Sequence, residues 1–168
     1  LSTESEMIRR YQGKHSAHFQ TSVTFIDLDH FKYYNDTYGH EAGDILIAEF
    51  SDLLKHIYRR VDFVCRFGGD EFVILLPNTT DEEALRAAER LREGLVAREY
   101  FLPVLEKRLG MKLNVPKDHY INFSAGICSN FVVDDKTDMN LVMQNADKAL
   151  FAAKNSGRSR TVLWTEMP

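Results

Sequence analysis

Two adjacent carboxylates, Asp70 and Glu71, follow a pair of glycines near the middle of the chain. Apolar, β-forming residues on both sides of Gly68-Gly69 predict a β-hairpin, because glycine supplies the positive φ of a tight turn without a steric clash. Carboxylates at such a turn can bind a divalent cation or accept a proton. On this stretch alone the alternative is a solvated acidic pair, which is common at turns.

A third carboxylate, Asp27, lies at the end of the first predicted strand, residues 22–28. If that strand neighbours the second strand of the hairpin, Asp27 and Asp70 meet at one edge of the sheet. Two or three carboxylate oxygens with carbonyls and water are the ligands that Mg²⁺ prefers, and substrate phosphates complete its coordination. The turn at 29–32 opens a helix, and the free backbone N–H groups of such a turn suit a phosphate.

Two further groups of residues are candidates for nucleotide binding. Lys154 and Arg158 stand four residues apart near the end of the chain, where they either bind phosphate or complement a helix dipole. Asn35 and Asp44 bound a polar stretch between two predicted helices. A carboxylate and an amide can pair with the edge of guanine, although helix capping is the alternative use of both residue types.

The elements that must carry these groups follow from hydrophobic periodicity and from capping residues. Thr80 followed by Glu83 has the form of a capping box, and a helical stripe that includes Ile45, Ala48 and Ile57 is predicted to face the core. Strands are predicted at 22–28, 63–65, 72–76, 120–128 and 161–164, and helices at 30–38, 41–58, 81–97 and 138–155. The order β-α-α-β-β-α-β-α-β predicts an α+β domain with a single mixed, mainly antiparallel five-stranded sheet flanked by helices.

Length and composition restrict the class of protein. A chain of 168 residues with 44% hydrophobic residues suits one globular domain, and a net charge of -4 argues against binding a nucleic acid polymer. No apolar run approaches the roughly 20 residues of a membrane span. Cys65 and Cys128 stand in apolar runs and fit a reducing, cytoplasmic location. We expect residues 1–21 to lead from an upstream domain, which could anchor the protein to a membrane, and residues 22–168 to form one folded domain, with an insertion at 98–118 that contains some helix.

Five motifs in this order resemble the GGDEF-domain diguanylate cyclases. They are FIDLDHFK at 25–32, NDTYGH at 35–40 with Gly43 and Asp44, RFGGDEF at 66–72, FSAG at 123–126 and ADKALFAAKNSGR at 146–158. The resemblance extends over about residues 22–164 apart from the insertion. The sequence departs from the family in lacking the usual Asp-x-Leu-Thr-Gly-Leu-x-Asn-Arg stretch before the first strand, and in having Phe151 and Ser159 where Tyr and Asn are usual.

The resemblance implies an enzyme that condenses two GTP into cyclic di-GMP and two pyrophosphates. It implies the palm-like fold of nucleotidyl cyclases and polymerases, with a ferredoxin-like core. Asp27, Asp70 and the backbone carbonyl of Leu28 would bind the metal, which would be Mg²⁺ or Mn²⁺ with two ions in each half-site. Glu71 would either bind the second ion or deprotonate the 3′-hydroxyl. The substrate-binding residues it implies are Asn35 and Asp44 at guanine, His40 nearby, and the N–H groups of His30, Phe31 and Lys32 with Lys154 and Arg158 at the phosphates.

The resemblance also implies a homodimer and a regulatory site. One domain binds one GTP, so two domains must face each other for two bonds to form. Arg59 and Asp62, with Arg90 on the next helix, match the family's product-inhibition motif, and arginine and aspartate can pair with the edges of guanine. The alternative is a surface ion pair of little energetic value. The rival function is a catalytically weak domain that acts as a receptor for cyclic di-GMP or GTP.

Overall fold

The computed structural model describes residues 20–132 and 137–164. The predicted upstream segment therefore lies almost wholly outside the described residues. The strands are β1 (Gln20–Asp29), β2 (Phe63–Gly68), β3 (Glu71–Pro77), β4 (Asn122–Val132) and β5 (Thr161–Leu163). The α-helices are α1 (Phe31–Tyr38), α2 (His40–Ile57), α3 (Asp81–Ala97), α4 (Leu102–Leu109) and α5 (Met139–Asn155), and Glu99–Phe101 and Lys117–His119 form short 3-10 helices.

The five strands form one sheet in the order β2-β3-β1-β4-β5. All neighbours are antiparallel except β4 and β5, which are parallel. The predicted mixed, mainly antiparallel sheet is confirmed. No helix within the described ranges is long and apolar enough to cross a membrane.

Side chains of β1 alternate between two cores, as the pleat of a strand requires. Ile26 and Leu28 belong to the larger core, which includes residues of α2 and α3. Val23 and Phe25 belong to the smaller core, which includes residues of α5. Asp27 lies two residues beyond Phe25, and the same alternation therefore directs its side chain to the α5 face of the sheet.

Gly126 allows α5 to lie directly on the sheet. A Cβ at this position in β4 would lie 2.1 Å from the carbonyl oxygen of Ala146 and 2.1 Å from the backbone nitrogen of Leu150. These are backbone atoms of α5, so no side-chain rotation could relieve the clash. The depth at which α5 sits, and with it the position of Lys154 one turn further on, depends on this glycine.

The hairpin differs from the prediction in one detail. Gly68 is the last residue of β2 and pairs with Glu71, so the two residues of the turn are Gly69 and Asp70 rather than the two glycines. Only Gly69 of the two glycines has a positive φ, 44°. A register shift between Arg66 and Gly68 adds one residue to β2 and moves the turn along the chain.

The helix prediction is confirmed at the capping box and wrong at one core position. The Thr80 hydroxyl accepts a hydrogen bond from the N–H of Glu83, and the Glu83 carboxylate accepts one from the N–H of Thr80. Ala48 is exposed, whereas Ile45 and Leu53 are buried. Ala48 lies at the edge of the helical stripe, where a small apolar residue loses little by facing water.

Candidate active site

Two carboxylate motifs separated by some forty residues meet at one end of β1 and β3. Asp27 in β1 is the strand partner of Glu71 in β3. The N–H of Leu28 donates a hydrogen bond of 3.2 Å to the carbonyl oxygen of Asp70. The hairpin turn is thereby joined to the end of the central strand. The structure brings together the four residues that the sequence predicts for metal binding and catalysis.

Lys154 of α5 completes this group. Its Nζ lies 2.6 Å from Oδ2 of Asp27, and the Asp27 side chain is only 14% exposed. Burial raises the pKa of Asp27, and the negative charges of Asp70 and Glu71 raise it further, while the hydrogen bond and charge of Lys154 oppose the rise. The site therefore concentrates negative charge that one ammonium group only partly balances, and it attracts a further cation.

This donor set fits a magnesium ion that is shared with a substrate. Among the described residues, no group of three or more histidine, cysteine, aspartate or glutamate side chains could hold a metal by itself. Two carboxylates and a backbone carbonyl provide hard oxygen ligands. Mg²⁺ is commonly bound by one or two carboxylates together with substrate phosphates, so an all-protein cage is not required.

A buried carboxylate, Asp29, fixes the loop that follows α5. It accepts hydrogen bonds from the Ser124 hydroxyl at 2.9 and 3.0 Å and from the N–H of Ser159 at 2.9 Å. Nε of Arg158 lies 4.0 Å from the same carboxylate. Arg158 and Ser159 both have positive φ, 61° and 49°. The backbone of Ser159 makes the contact with Asp29, so the departure from the family's usual asparagine leaves this contact in place.

The start of α1 presents backbone N–H groups beside the carboxylates. His30, directly after β1, adopts the left-handed conformation with φ 66° and precedes the first helical residue, Phe31. The first N–H groups of a helix have no partner within the helix. The ammonium group of Lys32 lies 2.9 Å from the carboxylate of Asp36 on the exposed face of α1. At this position the backbone of Lys32, rather than its side chain, is therefore available for an anion at the helix start.

The predicted guanine-binding residues lie at the junction of α1 and α2. A Cβ at Gly43 would lie 2.1 Å from Oδ1 of Asn35, so the glycine lets this amide pack against the first turn of α2. His40 and Asp44 are four residues apart on α2 and both exposed, and such residues share one face of a helix. The structure thus places the three predicted residues at one junction.

The predicted regulatory residues share a cavity of about 300 Å³ between the end of α2 and α3. Its lining residues are Tyr58, Arg59, Asp62, Leu76, Thr79, Glu83, Arg86, Ala87 and Arg90. Nη2 of Arg59 lies 2.8 Å from Oδ1 of Asp62 and 2.8 Å from Oγ1 of Thr79. The Asp62 side chain is 3% exposed. A nearly buried carboxylate and a bridging guanidinium distinguish this site from an ordinary surface ion pair.

Sequence reasoning missed one group in this cavity. The hydroxyl of Tyr58 is buried and has no hydrogen-bond partner among the described residues. Burial raises the pKa of Tyr58, with a further contribution from the charge of Asp62. A tyrosine at the end of a helix ordinarily belongs to the core. The one feature of the sequence that could have placed Tyr58 in this cavity was its position directly before Arg59.

Comparisons with known proteins agree with the fold. Residues 2–160 match the family described as diguanylate cyclase, GGDEF domain, so the chain belongs to this family. Diguanylate cyclase A of Treponema denticola is 37% identical over 143 residues, which are 84% of this chain and 34% of that protein. Diguanylate cyclase DosC of Escherichia coli is 35% identical over 143 residues, which are 85% of this chain and 28% of that protein. The chain thus spans about a third of the length of these relatives.

A solved structure is similar over nearly the whole chain. The diguanylate cyclase SiaD of Pseudomonas aeruginosa, crystallised in complex with its activator SiaC, superposes with a TM-score of 0.76 at 29% identity. The match covers 94% of this chain and 55% of that chain. The sheet order and helix placement described above are therefore those of a GGDEF domain.

Proposed function

We propose that this domain is a diguanylate cyclase, which condenses two GTP into cyclic di-GMP with release of two pyrophosphates. The observation that carries the proposal is the convergence of Asp27, Asp70 and Glu71 with Lys154, whose ammonium group lies 2.6 Å from Asp27. These residues come from three separate motifs. A receptor that only binds a nucleotide has no need for this concentration of negative charge.

Mg²⁺ or Mn²⁺, with two ions in each half-site held by Asp27, Asp70 and the carbonyl of Leu28, would supply activation of the 3′-hydroxyl and neutralisation of the leaving pyrophosphate. Glu71 stands beside these ligands, where it either accepts the proton of the 3′-hydroxyl or completes the second ion's coordination. Burial raises the pKa of Asp27, and the charges of Asp70 and Glu71 raise it further, so a bound cation would also lower the cost of keeping this carboxylate ionised.

The remaining residues bind and orient GTP. The N–H groups of residues 30–32 hold a phosphate at the start of α1. Lys154 and Arg158 place positive charge where the leaving pyrophosphate develops negative charge. Asn35 and Asp44 select guanine, because a carboxylate accepts from the N1–H and N2–H₂ groups that adenine lacks.

The active species is a homodimer. The carboxylates lie at one end of β1 and β3, beside the exposed turn at Gly69. A second copy can therefore approach with its own GTP. Two-fold symmetry makes the two half-sites equivalent, and both phosphodiester bonds then form by the same chemistry.

The cavity with Arg59, Asp62 and Arg90 binds cyclic di-GMP, and this binding inhibits the enzyme. Arginine can donate two hydrogen bonds to N7 and O6 of guanine, and aspartate can accept from the opposite edge. In the described structure Asp62 is paired with Arg59. The product must therefore rearrange this pair or bind through the remaining donors of the guanidinium.

GTP turnover tests the catalytic assignment. Purified protein with Mg²⁺ should form cyclic di-GMP, identified by mass spectrometry, and Asp70→Asn should lose at least about a hundredfold in rate. Asp52→Asn, on α2 outside the proposed site, is the matched control and should retain the rate. A wild-type dimer that makes no cyclic dinucleotide but binds cyclic di-GMP would instead establish a receptor.

Two neighbouring arginines provide the test of inhibition. Arg59→Ala should relieve inhibition by added cyclic di-GMP while the initial rate stays within about twofold of wild type. Arg60 is exposed and does not line the cavity, so Arg60→Ala should remain inhibited. Unchanged inhibition in Arg59→Ala would refute the cavity as the regulatory site.

A further inference from the structure

The segment directly after the insertion, residues 119–121, packs against the start of α1, next to the proposed phosphate site. His119, the last residue of the second 3-10 helix, has its ring centroid 5.1 Å from that of His30 and 4.7 Å from that of Tyr33. Two residues later, the N–H of Ile121 donates a buried hydrogen bond of 3.2 Å to the hydroxyl of Tyr34. Residues 119–121, directly after the insertion, thus contact His30, Tyr33 and Tyr34 at the start of α1.

The insertion that precedes this segment is itself packed into the larger core. Phe101 and Leu105, which lie in its first half, are buried in the larger core. Nδ1 of His119 lies 3.1 Å from the carboxylate of Asp118, and this contact orients the imidazole. The contact with Asp118 restricts the imidazole of His119, whose ring is tilted by 43° against that of His30.

His30 needs such support because of its backbone conformation. It has φ 66°, a left-handed conformation that is unfavourable for a residue with a side chain. No side chain within the described ranges caps α1 at this residue. The direction in which the N–H groups of residues 30–32 point depends on His30 keeping this conformation. The His119 ring restricts the other backbone conformations that His30 could adopt.

We propose that His119 is a positioning residue for the triphosphate of GTP. It holds His30 in the left-handed conformation and so aims the N–H groups at the start of α1 toward the β- and γ-phosphates. This inference rests on the proposed function and assigns the residue that follows the insertion a role in substrate binding. His119 does not itself touch the substrate.

The test is a set of histidine variants assayed for GTP turnover and for equilibrium binding by calorimetry. His119→Ala should raise KM and the dissociation constant for GTP by about threefold to tenfold, the effect of losing one aromatic contact, while kcat changes less than twofold. Binding of GMP should be unchanged because GMP lacks the β- and γ-phosphates. Amide exchange at Phe31 and Lys32 should be faster in His119→Ala at an unchanged melting temperature.

Two further variants make the outcomes distinct. His119→Phe keeps a ring against His30 and should behave as wild type. His56→Ala removes an exposed histidine of α2 and should have no effect. Equal losses for GTP and GMP, a fall in kcat with an unchanged KM, or a His119→Phe variant as weak as His119→Ala would each overturn the inference. Wild-type protein that fails to bind GTP would overturn the proposed function and this inference with it.

Discussion

Replacing Gly126 with alanine tests whether the depth of α5 on the sheet controls both stability and the site. The added Cβ would lie 2.1 Å from backbone atoms of Ala146 and Leu150 and 2.7 Å from the carbonyl carbon of Ala149. Ordinary contact begins near 3.4 Å, so the helix must move away from β4 by about 1.3 Å. The helix residues at this contact are fully or almost fully buried, and the shift would therefore disturb the smaller core.

The cost follows from what resists the shift. Overpacking a core costs about 1–3 kcal/mol when side chains can adjust, and here the opposing atoms are backbone. We expect Gly126→Ala to lower the free energy of unfolding by about 3 kcal/mol, which corresponds to a fall in Tm of about 6–12 °C for a domain of this size. The same shift should separate Lys154 from Asp27 and reduce GTP turnover at temperatures where the variant is folded.

Gly68→Ala is the control for the stability effect, because its added Cβ meets no described atom within 4 Å. Its Tm should equal or slightly exceed that of wild type, since alanine in a strand is favoured over glycine by about 0.5–1 kcal/mol. The proposed metal ligand Asp70 would bring the nucleotide close to the hairpin, so the new methyl group should nevertheless lower turnover. Thermal unfolding followed by circular dichroism and GTP turnover measure both effects. A Gly126→Ala variant within about 2 °C of wild type would refute the reasoning about α5.

Three further substitutions follow from groups described above. The raised pKa of Asp27 means that the native state keeps this proton to a higher pH than the unfolded chain, so stability is lost as pH rises through the native pKa. Asp70→Asn removes one cause of the raised pKa and should stabilise the metal-free protein at pH 7.5, by about 1.4 kcal/mol for each unit that the pKa of Asp27 falls. At pH 3 it should not stabilise the protein. Urea unfolding at both pH values tests this, and a lower free energy of unfolding at pH 7.5 would contradict it. Tyr58→Phe removes a buried hydroxyl without a partner among the described residues and should raise Tm by about 2–4 °C, whereas a fall would indicate a partner. Thr80→Ala breaks the capping box and should cost about 1 kcal/mol in urea unfolding, and Thr80→Ser should restore most of it.

Local signals in the sequence predicted most of the fold. The capping box at Thr80, the glycine between α1 and α2 and the apolar runs around the hairpin depend on neighbours within a few residues, and the structure confirms the elements they delimit. The exposed Ala48 and the shifted hairpin turn were not predictable in this way. The first depends on the exact rotation of α2 over the sheet, and the second on an extra residue in β2 that changes the register.

The candidate site was predictable where motifs supply the residues and unpredictable where packing joins them. The approach of Asp27 and Asp70 was predicted from the ends of two strands. The contact of Lys154 with Asp27 was not, because it depends on how closely α5 approaches β4 at Gly126. The contact between His119 and His30 joins residues 89 positions apart in the chain, and no local pattern marks it.

The loop after α5 has a consequence for the thermodynamics of binding. Gly157, Arg158 and Ser159 are three consecutive residues with positive φ, and two of them pay the steric cost of a side chain in that region, about 1–2 kcal/mol each. The buried carboxylate of Asp29 holds this conformation through the N–H of Ser159. The conformational entropy of this loop is therefore lost during folding, before any ligand binds. A phosphate that binds there loses little affinity to conformational entropy, and its binding should be correspondingly favourable in enthalpy with a small entropic penalty.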